Sequence, residues 1–441
     1  MPDSNNKNKK VKYIFVSGGV ISGIGKGITS ASISLLLKSA GYKVSPLKFE
    51  NYLNLDAGTI NPIEHGDTFL CEDGTEADMD IGTYEKFLNE DMGIDNFVTM
   101  GKIYSTVIDK ERKFEYLGED VEAIPHITDE ITRRIVSLGE KKNADFVVIE
   151  LGGTAGEYQN VFYYEASRIM TLRNPGDVIH VHVSYVPTPA HLGEPKTKPT
   201  QLSVRTLNSL GIQPDFVICR SEKFLDQRRR DRLALFCNVT PENVISSPDL
   251  PSVYQVPLIL EDQKLAEKIL SRVGLPVRKS NLSDWKKFVD KVKKVKEKKD
   301  GIEIAIIGKY FGTGDYQLRD SYAALFDAID HASYELGIAV KTHWIDAQKA
   351  ENNDNLNELI GNPDGIIVPI GWGLRGAEGM IKAAGYARDK KIPYLGLCYG
   401  MQLGVISYAR DVLGIKNANT EENDEKGSDL VIHLMPKQKE I

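Results

Sequence analysis

The sequence predicts an α/β protein built on parallel sheets and divided into two domains. Three observations predict it. Short β-branched apolar runs recur between helix-like stretches; a glycine-rich turn joins the first run to a helix; and the alternation restarts after a basic stretch near residue 300. Tyr13–Ser17, Phe146–Leu151, Val178–Val183 and Phe216–Cys219 are nearly continuous in hydrophobicity, as strands buried on both sheet faces must be. Ile28–Ala40 and Thr128–Leu138 read as helices between them. In the second half, Ile302–Ile307, Gly365–Pro369 and Ile392–Leu397 read as buried strands in the same way.

The 441 residues exceed what one core normally holds, which supports two domains. A composition of 41% hydrophobic and 27% charged residues is that of a globular protein. The formal charge of −7 gives no support for broad nucleic-acid binding, and no apolar run approaches the roughly 18 residues that cross a bilayer. Residues 1–10, MPDSNNKNKK, lack the apolar core of a signal peptide and read as a disordered tail. Cys71, Cys219, Cys237 and Cys398 are scattered without metal-ligand spacing, so a cytoplasmic protein is expected. Between Arg278 and Asp300, ten Lys/Arg face four acidic residues, while Trp285, Phe288, Val289, Val292 and Val295 recur at helical spacing. A nucleic-acid-binding helix and a linker helix docked on its own domains both fit this pattern; the second is expected. The domains are placed at 11–275 and 301–441, with a linker helix at 276–300.

The strongest local signal is YIFVSGGVISGIGKGITSASISLLLK. A strand runs into Gly18, Gly19, Gly23, Gly25 and Gly27, with Lys26 among them, and a helix follows. Glycines let backbone N–H groups converge on phosphate oxygens, and the helix N-terminus adds positive potential. Lys26 is expected against the β- and γ-phosphates of a nucleotide. The usual GxxxxGK[ST] pattern is matched imperfectly, because Gly27 stands where a Ser or Thr normally reaches magnesium. Carboxylates from elsewhere must then hold the metal. Asp73, Asp78 and Asp80 of EDGTEADMDIG are available, though a solvated loop has the same composition. Glu150 ends a strand where ligands bind in such sheets. GEPKTKPTQ (193–201) sets Lys196 and Lys198 around Thr197 between prolines, which suits a second phosphate chain or a surface loop.

SGGVISGIGKGI, KFENYLNLDAGTINPIEHGDTF, EDGTEADMDIGTYEKF, YLGEDVEAIPHIT, VIELGGTAGE, GEPKTKPTQLSV and ALFCNV occur in the order seen in CTP synthases. The chain resembles that family over nearly its whole length. The resemblance implies a P-loop amidoligase domain followed by a class I glutamine amidotransferase domain of flavodoxin-like α/β fold. The implied reaction takes UTP, ATP and glutamine, or free ammonia, to CTP, ADP, phosphate and glutamate, with magnesium, GTP activation and a homotetramer. By position, Gly23, Ile24, Gly25, Lys26, Gly27 and Ile28 would hold ATP phosphates, with Asp249 near adenine, and Asp80 and Glu150 would bind magnesium. Lys48 matches a catalytic lysine close to the phosphates. Ser22, Lys196, Thr197, Lys198, Pro199, Thr200 and Gln201 would hold the pyrimidine nucleotide. Two places depart from the pattern: Glu157, Tyr158 and Gln159 replace Asp-Ile-Glu in a loop that touches CTP in relatives, and Arg232 replaces a lysine. A different P-loop amidoligase, resembling dethiobiotin or cobyrinate synthetases, and a non-catalytic regulatory homologue are the alternatives. GEPKTKPTQ and EDGTEADMDIG argue against the first, and Lys26, Asp80, Glu150 and Lys198 against the second.

PYLGLCYGMQ puts Cys398 in a Gly-x-Cys-x-Gly turn between strand and helix, the arrangement of a nucleophile elbow. N–H groups near Gly371 and Tyr399 are candidates for an oxyanion hole. By resemblance Gly371, Tyr399, Gly400, Met401, Gln402 and Glu422 would contact glutamine, with Ile370 and Trp372 departing from the family's VPGGFG. The family's His-x-Glu base pair lies more than a hundred residues past the cysteine. Here only His433 follows, in a strand-like run and without the glutamate. The domain is therefore expected to lack its C-terminal part, and the sequence as given to hydrolyse glutamine poorly.

Overall fold

The computed structural model describes residues 10–313, 316–353 and 355–435; residues 1–9 of the expected tail lie outside them. The chain forms two compact units. One takes the residues up to Thr59 together with Thr68–Val289, and the other takes Ile60–Asp67 together with the chain from Asp290 on.

The first unit carries a seven-stranded sheet: β1 (Lys12–Gly18), β2 (Val44–Glu50), β3 (Phe97–Thr99), β4 (Phe146–Leu151), β5 (Val178–Tyr185), β6 (Phe216–Ser221) and β7 (Val244–Pro248). The order is β3-β2-β4-β1-β5-β6-β7 and every pairing is parallel. Because strand side chains alternate, Tyr13, Phe15, Leu47, Phe49, Val147 and Ile149 share one buried face with helices Met100–Arg112, Thr128–Lys141 and Val161–Arg173. Ile14, Val16 and Val148 are equally buried on the other face, which helix α1 (Lys26–Ser39) covers. Strands β4 and β5 flank β1, so the strand order turns there and opens a crevice at the carboxyl edge.

The second unit has a four-stranded parallel sheet of β8 (Gly301–Gly308), β9 (Ala339–Asp346), β10 (Gly365–Val368) and β11 (Tyr394–Gly396), in the order β9-β8-β10-β11. That is the flavodoxin-like order. Ala305, Ile307 and Val368 pack on one side, and Ile306, Phe311, Tyr322 and Phe326 on the other. In helix Ser283–Lys296, Trp285 packs on Phe87 and donates to the Tyr254 carbonyl at 2.8 Å, while Lys287 faces solvent. Among the described residues, no helix is long and apolar enough to cross a membrane.

Candidate functional site

The glycine loop leaves β1 at Gly18 and enters α1 through Gly25, whose φ of 93° lies in the left-handed region open to glycine. Ser22 and Gly23 are exposed on the loop, Ile24 is buried beneath it, and Gly27 and Ile28 form the first turn of α1. Lys26 reaches back across the loop and donates to the Gly153 carbonyl at 2.7 Å. Burial, and then the Lys48 ammonium, lower its pKa.

Strand register builds the acidic cluster next to it. Lys48 on β2 lies opposite Glu150 on β4, and Glu50 follows Lys48 by two residues, so all three emerge on the α1 face of the sheet. Lys48 is buried and donates to Glu150 Oε1 at 2.7 Å and Asp80 Oδ2 at 2.5 Å, with Glu50 at 3.1 Å and Asp78 at 3.7 Å. Asp78 caps helix α2 (Met79–Leu88) by accepting from Asp80 N–H, which orients Asp80 toward the loop. Tyr84, one turn along α2, donates a short bond to Glu150 Oε2.

The missing loop hydroxyl is explained by Asp80. A Cβ at position 27 would lie 1.9 Å from Asp80 Oδ1, so the Asp80 carboxylate occupies the space that a Ser or Thr side chain would need. Gly27 is the opening through which a carboxylate from another segment enters the glycine loop.

Four carboxylates surround two ammonium groups here. Burial opposes charge on Lys48, but Asp78, Asp80, Glu150 and Glu50 hold its pKa well above the ordinary lysine value. Burial also opposes charge on Asp80, yet Lys48 keeps it below the usual carboxylate range. Glu150 is pushed up to about 7 by burial and then by Asp80, and burial raises Asp78 strongly. Four carboxyl groups gathered against two lysines form an oxygen-rich donor set, which fits a divalent cation shared with phosphate oxygens.

The GEPKTKPTQ segment runs into helix α3 (Lys198–Ser209). Lys196 pairs with Glu194, and Arg229 also bonds Glu194. Thr197 accepts from Gln201 Nε2 at 3.0 Å, Thr200 donates to the Tyr185 carbonyl at 3.0 Å, and Lys198 and Arg232 are exposed. After the Gly-Gly turn, Glu157 accepts from Thr154 N–H at 2.8 Å as a loop cap, whereas Tyr158 and Gln159 stand in solvent. Asp249 is joined to the site by Arg220, which pairs with it at 2.9 Å and comes within 3.9 Å of a Cβ placed on Gly25. Sequence reasoning missed Glu50, Tyr84 and Arg220. Their signals were faint: an acid two residues after a strand lysine, a tyrosine four after Asp80, and an arginine closing the apolar run FVIC.

In the second unit, Cys398 is exposed at the tip of a tight turn with φ 49° and ψ −107°, a strained conformation. Both flanking glycines are required by close approach. A Cβ on Gly400 would lie 2.0 Å from the Val368 carbonyl, and one on Gly396 would lie 2.6 Å from Met401 N. Tyr399, Gly400, Met401 and Gln402 form the first turn of the helix behind the thiol. The 371–373 loop lies beside that turn. Gly371 abuts Tyr399, Glu422 accepts from Gly373 N–H at 2.5 Å, and Tyr399 OH bonds Asn423 at 2.6 Å. Lys309, which sequence reasoning did not single out, donates to the Trp372 and Gly373 carbonyls, and burial lowers its pKa to about 8. His433 is exposed just past strand Asp429–Ile432, its Nδ1 3.1 Å from the Leu434 carbonyl. Among the described residues, no hydrogen bond reaches the Cys398 thiol.

Residues 12–275 match the family described as CTP synthase N-terminus, and residues 317–438 match glutamine amidotransferase class-I. The chain belongs to the CTP synthase family. Its sequence is 47% identical over 431 residues to the CTP synthase of Caldanaerobacter subterraneus subsp. tengcongensis, covering 98% of this chain and 79% of that one. It is 48% identical to the CTP synthase of Pyrococcus furiosus, with 98% and 78% covered. A solved glutaminase domain of Trypanosoma brucei CTPS with bound acivicin is 33% identical, covering 31% of this chain and 51% of that one at a TM-score of 0.29. Members of the family are glutamine-hydrolysing C–N ligases that aminate UTP to CTP at the expense of ATP.

Proposed function

We propose that the first unit joins ATP and UTP on the glycine loop and the GEPKTKPTQ segment, and that the second uses Cys398 to release ammonia from glutamine. The observation that carries the first half is the Asp80 carboxylate threaded past Gly27 to Lys48 and Glu150. ATP transfers its γ-phosphoryl group to the uracil 4-oxygen, ammonia adds at C4, and phosphate leaves with the former carbonyl oxygen. Loop N–H groups of residues 23–28 and Lys26 bind the ATP phosphates, and Lys48 neutralises charge on the transferring group. Asp80 and Glu150 are the residues that would hold magnesium, which supplies charge neutralisation between the phosphate chains. Lys196, Lys198 and Gln201 bind UTP with Ser22 and Arg232; Asp249 and Arg220 border the adenine side. The thiol of Cys398, at the N-terminus of its helix, attacks the glutamine amide, with Gly371, Tyr399, Met401, Gln402 and Glu422 around the substrate. GTP as activator, a homotetramer and a cytoplasmic location complete the reading.

The test is to mix the protein with UTP, ATP, magnesium and either ammonium or glutamine, and to follow CTP. CTP formation with ammonium is expected. Its absence would overturn the amination reading and favour a regulatory role.

A further inference from the structure

Ser17 and His182 lie opposite one another on β1 and β5, so both side chains emerge on the sheet face that packs α3. His182 is fully buried and bridges two hydroxyls: its Nδ1 is 2.9 Å from Ser17 Oγ and its Nε2 is 2.7 Å from Ser203 Oγ. Ser203 stands two residues after Gln201, on the helix that the GEPKTKPTQ segment opens. The same contact reaches the glycine loop. A Cβ at Gly19 would lie 1.5 Å from Ser203 Oγ and 2.9 Å from His182 Nε2, and Gly19 N–H is bonded to the Val183 carbonyl at 3.0 Å. The backbone of the phosphate loop therefore rests on the histidine–serine bond.

We propose that His182 is a positioning residue: bridged between Ser17 and Ser203, it fixes the Lys196–Gln201 segment to the strand that feeds the glycine loop, and so sets the spacing between the two nucleotides. This rests on the reading of those two segments as nucleotide half-sites. The chemistry suits the task. Burial, and then Lys26, lower the His182 pKa to about 4, so the ring is neutral at ordinary pH. A neutral imidazole has one N–H and one lone pair, and a hydroxyl can answer either. The bridge closes without a charge or an orphaned donor beside the phosphate site.

His180 provides an internal control. It lies two residues earlier on the same strand and is nearly as buried, but it stacks on Phe15 and bonds Thr171 in helix Val161–Arg173, away from the loop. The experiment measures ammonium-dependent CTP formation and thermal unfolding for wild type, His182→Asn, His182→Gln, Ser203→Ala and His180→Asn. An asparagine amide reaches toward Ser17 only, whereas a glutamine amide reaches the Nε2 position and can keep Ser203. His182→Asn and Ser203→Ala are expected to lower kcat about tenfold, because a small misplacement of two reactants is costly, while each nucleotide KM moves less than about threefold. His182→Gln is expected to recover most of kcat, and His180→Asn to lower the unfolding temperature without changing kcat. Wild-type kcat in both His182→Asn and Ser203→Ala would overturn the proposal. If His182→Asn does not fold, Ser203→Ala decides by the same criterion. Failure of the wild-type chain to form CTP would overturn the underlying reading instead.

Discussion

Restoring the usual loop residue at position 27 should damage the site, not improve it. In other phosphate loops a Ser or Thr follows the lysine, so Gly27→Ser looks like a repair. The geometry opposes it: the new Cβ would sit 1.9 Å from Asp80 Oδ1. Ordinary carbon–oxygen contact is about 3.4 Å, so the carboxylate must retreat by about 1.5 Å or turn to another rotamer. That movement breaks the 2.5 Å Lys48–Asp80 bond and takes a carboxylate away from the proposed metal position. Misplacement of a catalytic group by about 1 Å costs on the order of 100-fold in rate, or about 2.7 kcal/mol. The displaced atoms are the end of a side chain, so the fold should hold, with a stability loss of about 1 kcal/mol or less. The assay is ammonium-dependent CTP formation by Gly27→Ser and Gly27→Ala, with thermal unfolding in parallel. Both variants should unfold near the wild-type temperature and lose about 100-fold in kcat. Wild-type kcat in either would show that Asp80 does not need the space, and the argument for a carboxylate in place of the hydroxyl would fail.

Other perturbations separate the parts. Lys48→Met leaves Asp80, Glu150, Glu50 and Asp78 facing one another; it should abolish CTP formation and cost about 3 kcal/mol of stability in a chelator. Magnesium should return part of that loss, and equal losses with and without it would count against a cation among these acids. Cys398→Ser should remove whatever glutamine-dependent CTP formation the wild-type chain shows, while ammonium-dependent formation stays within about twofold; equal loss of both would refute the division of labour. Glu130, buried beside Lys110, Arg133 and Arg134, has its pKa lowered to about 2, with burial opposing and the Arg133 bond leading the depression. Depression below the unfolded value of about 4.3 means that its stabilisation is complete above that pH and fades as pH falls toward 2. Because Arg133 is half exposed, about 1–2 kcal/mol is expected at pH 7. Glu130→Gln should remove it, so the gap between variant and wild type in denaturant midpoints should close from pH 5 to pH 2. A constant gap would refute the assignment.

Much of the frame was legible because buried parallel strands declare themselves. Phe146–Leu151 is apolar almost throughout, and the structure keeps its bounds unchanged. Val44–Glu50 was not legible, since Pro46, Lys48 and Glu50 interrupt the apolar run even though every residue in it is buried. Two of the residues that hide this strand, Lys48 and Glu50, are among those that equip the site. Ala339–Asp346 was missed because its Lys341, Thr342 and His343 suit an edge position. For the loop, Gly27 looked like a lost ligand when taken alone. Only the tertiary approach of Asp80 shows why glycine is needed, and no period or spacing along the chain encodes a contact between residues 27 and 80.

That contact also sets what can be transplanted. A phosphate loop that carries its own hydroxyl is a portable element, complete within a dozen residues. Here the loop is completed by a helix cap and two further strands, so the smallest transferable piece runs from β1 through β4. A graft of residues 13–39 would carry the glycines and Lys26 but arrive without its acids. Metal–nucleotide binding at the proposed site would thus be a readout of a finished fold, and ATP affinity in partly denaturing conditions should track assembly of the sheet rather than the local order of the loop.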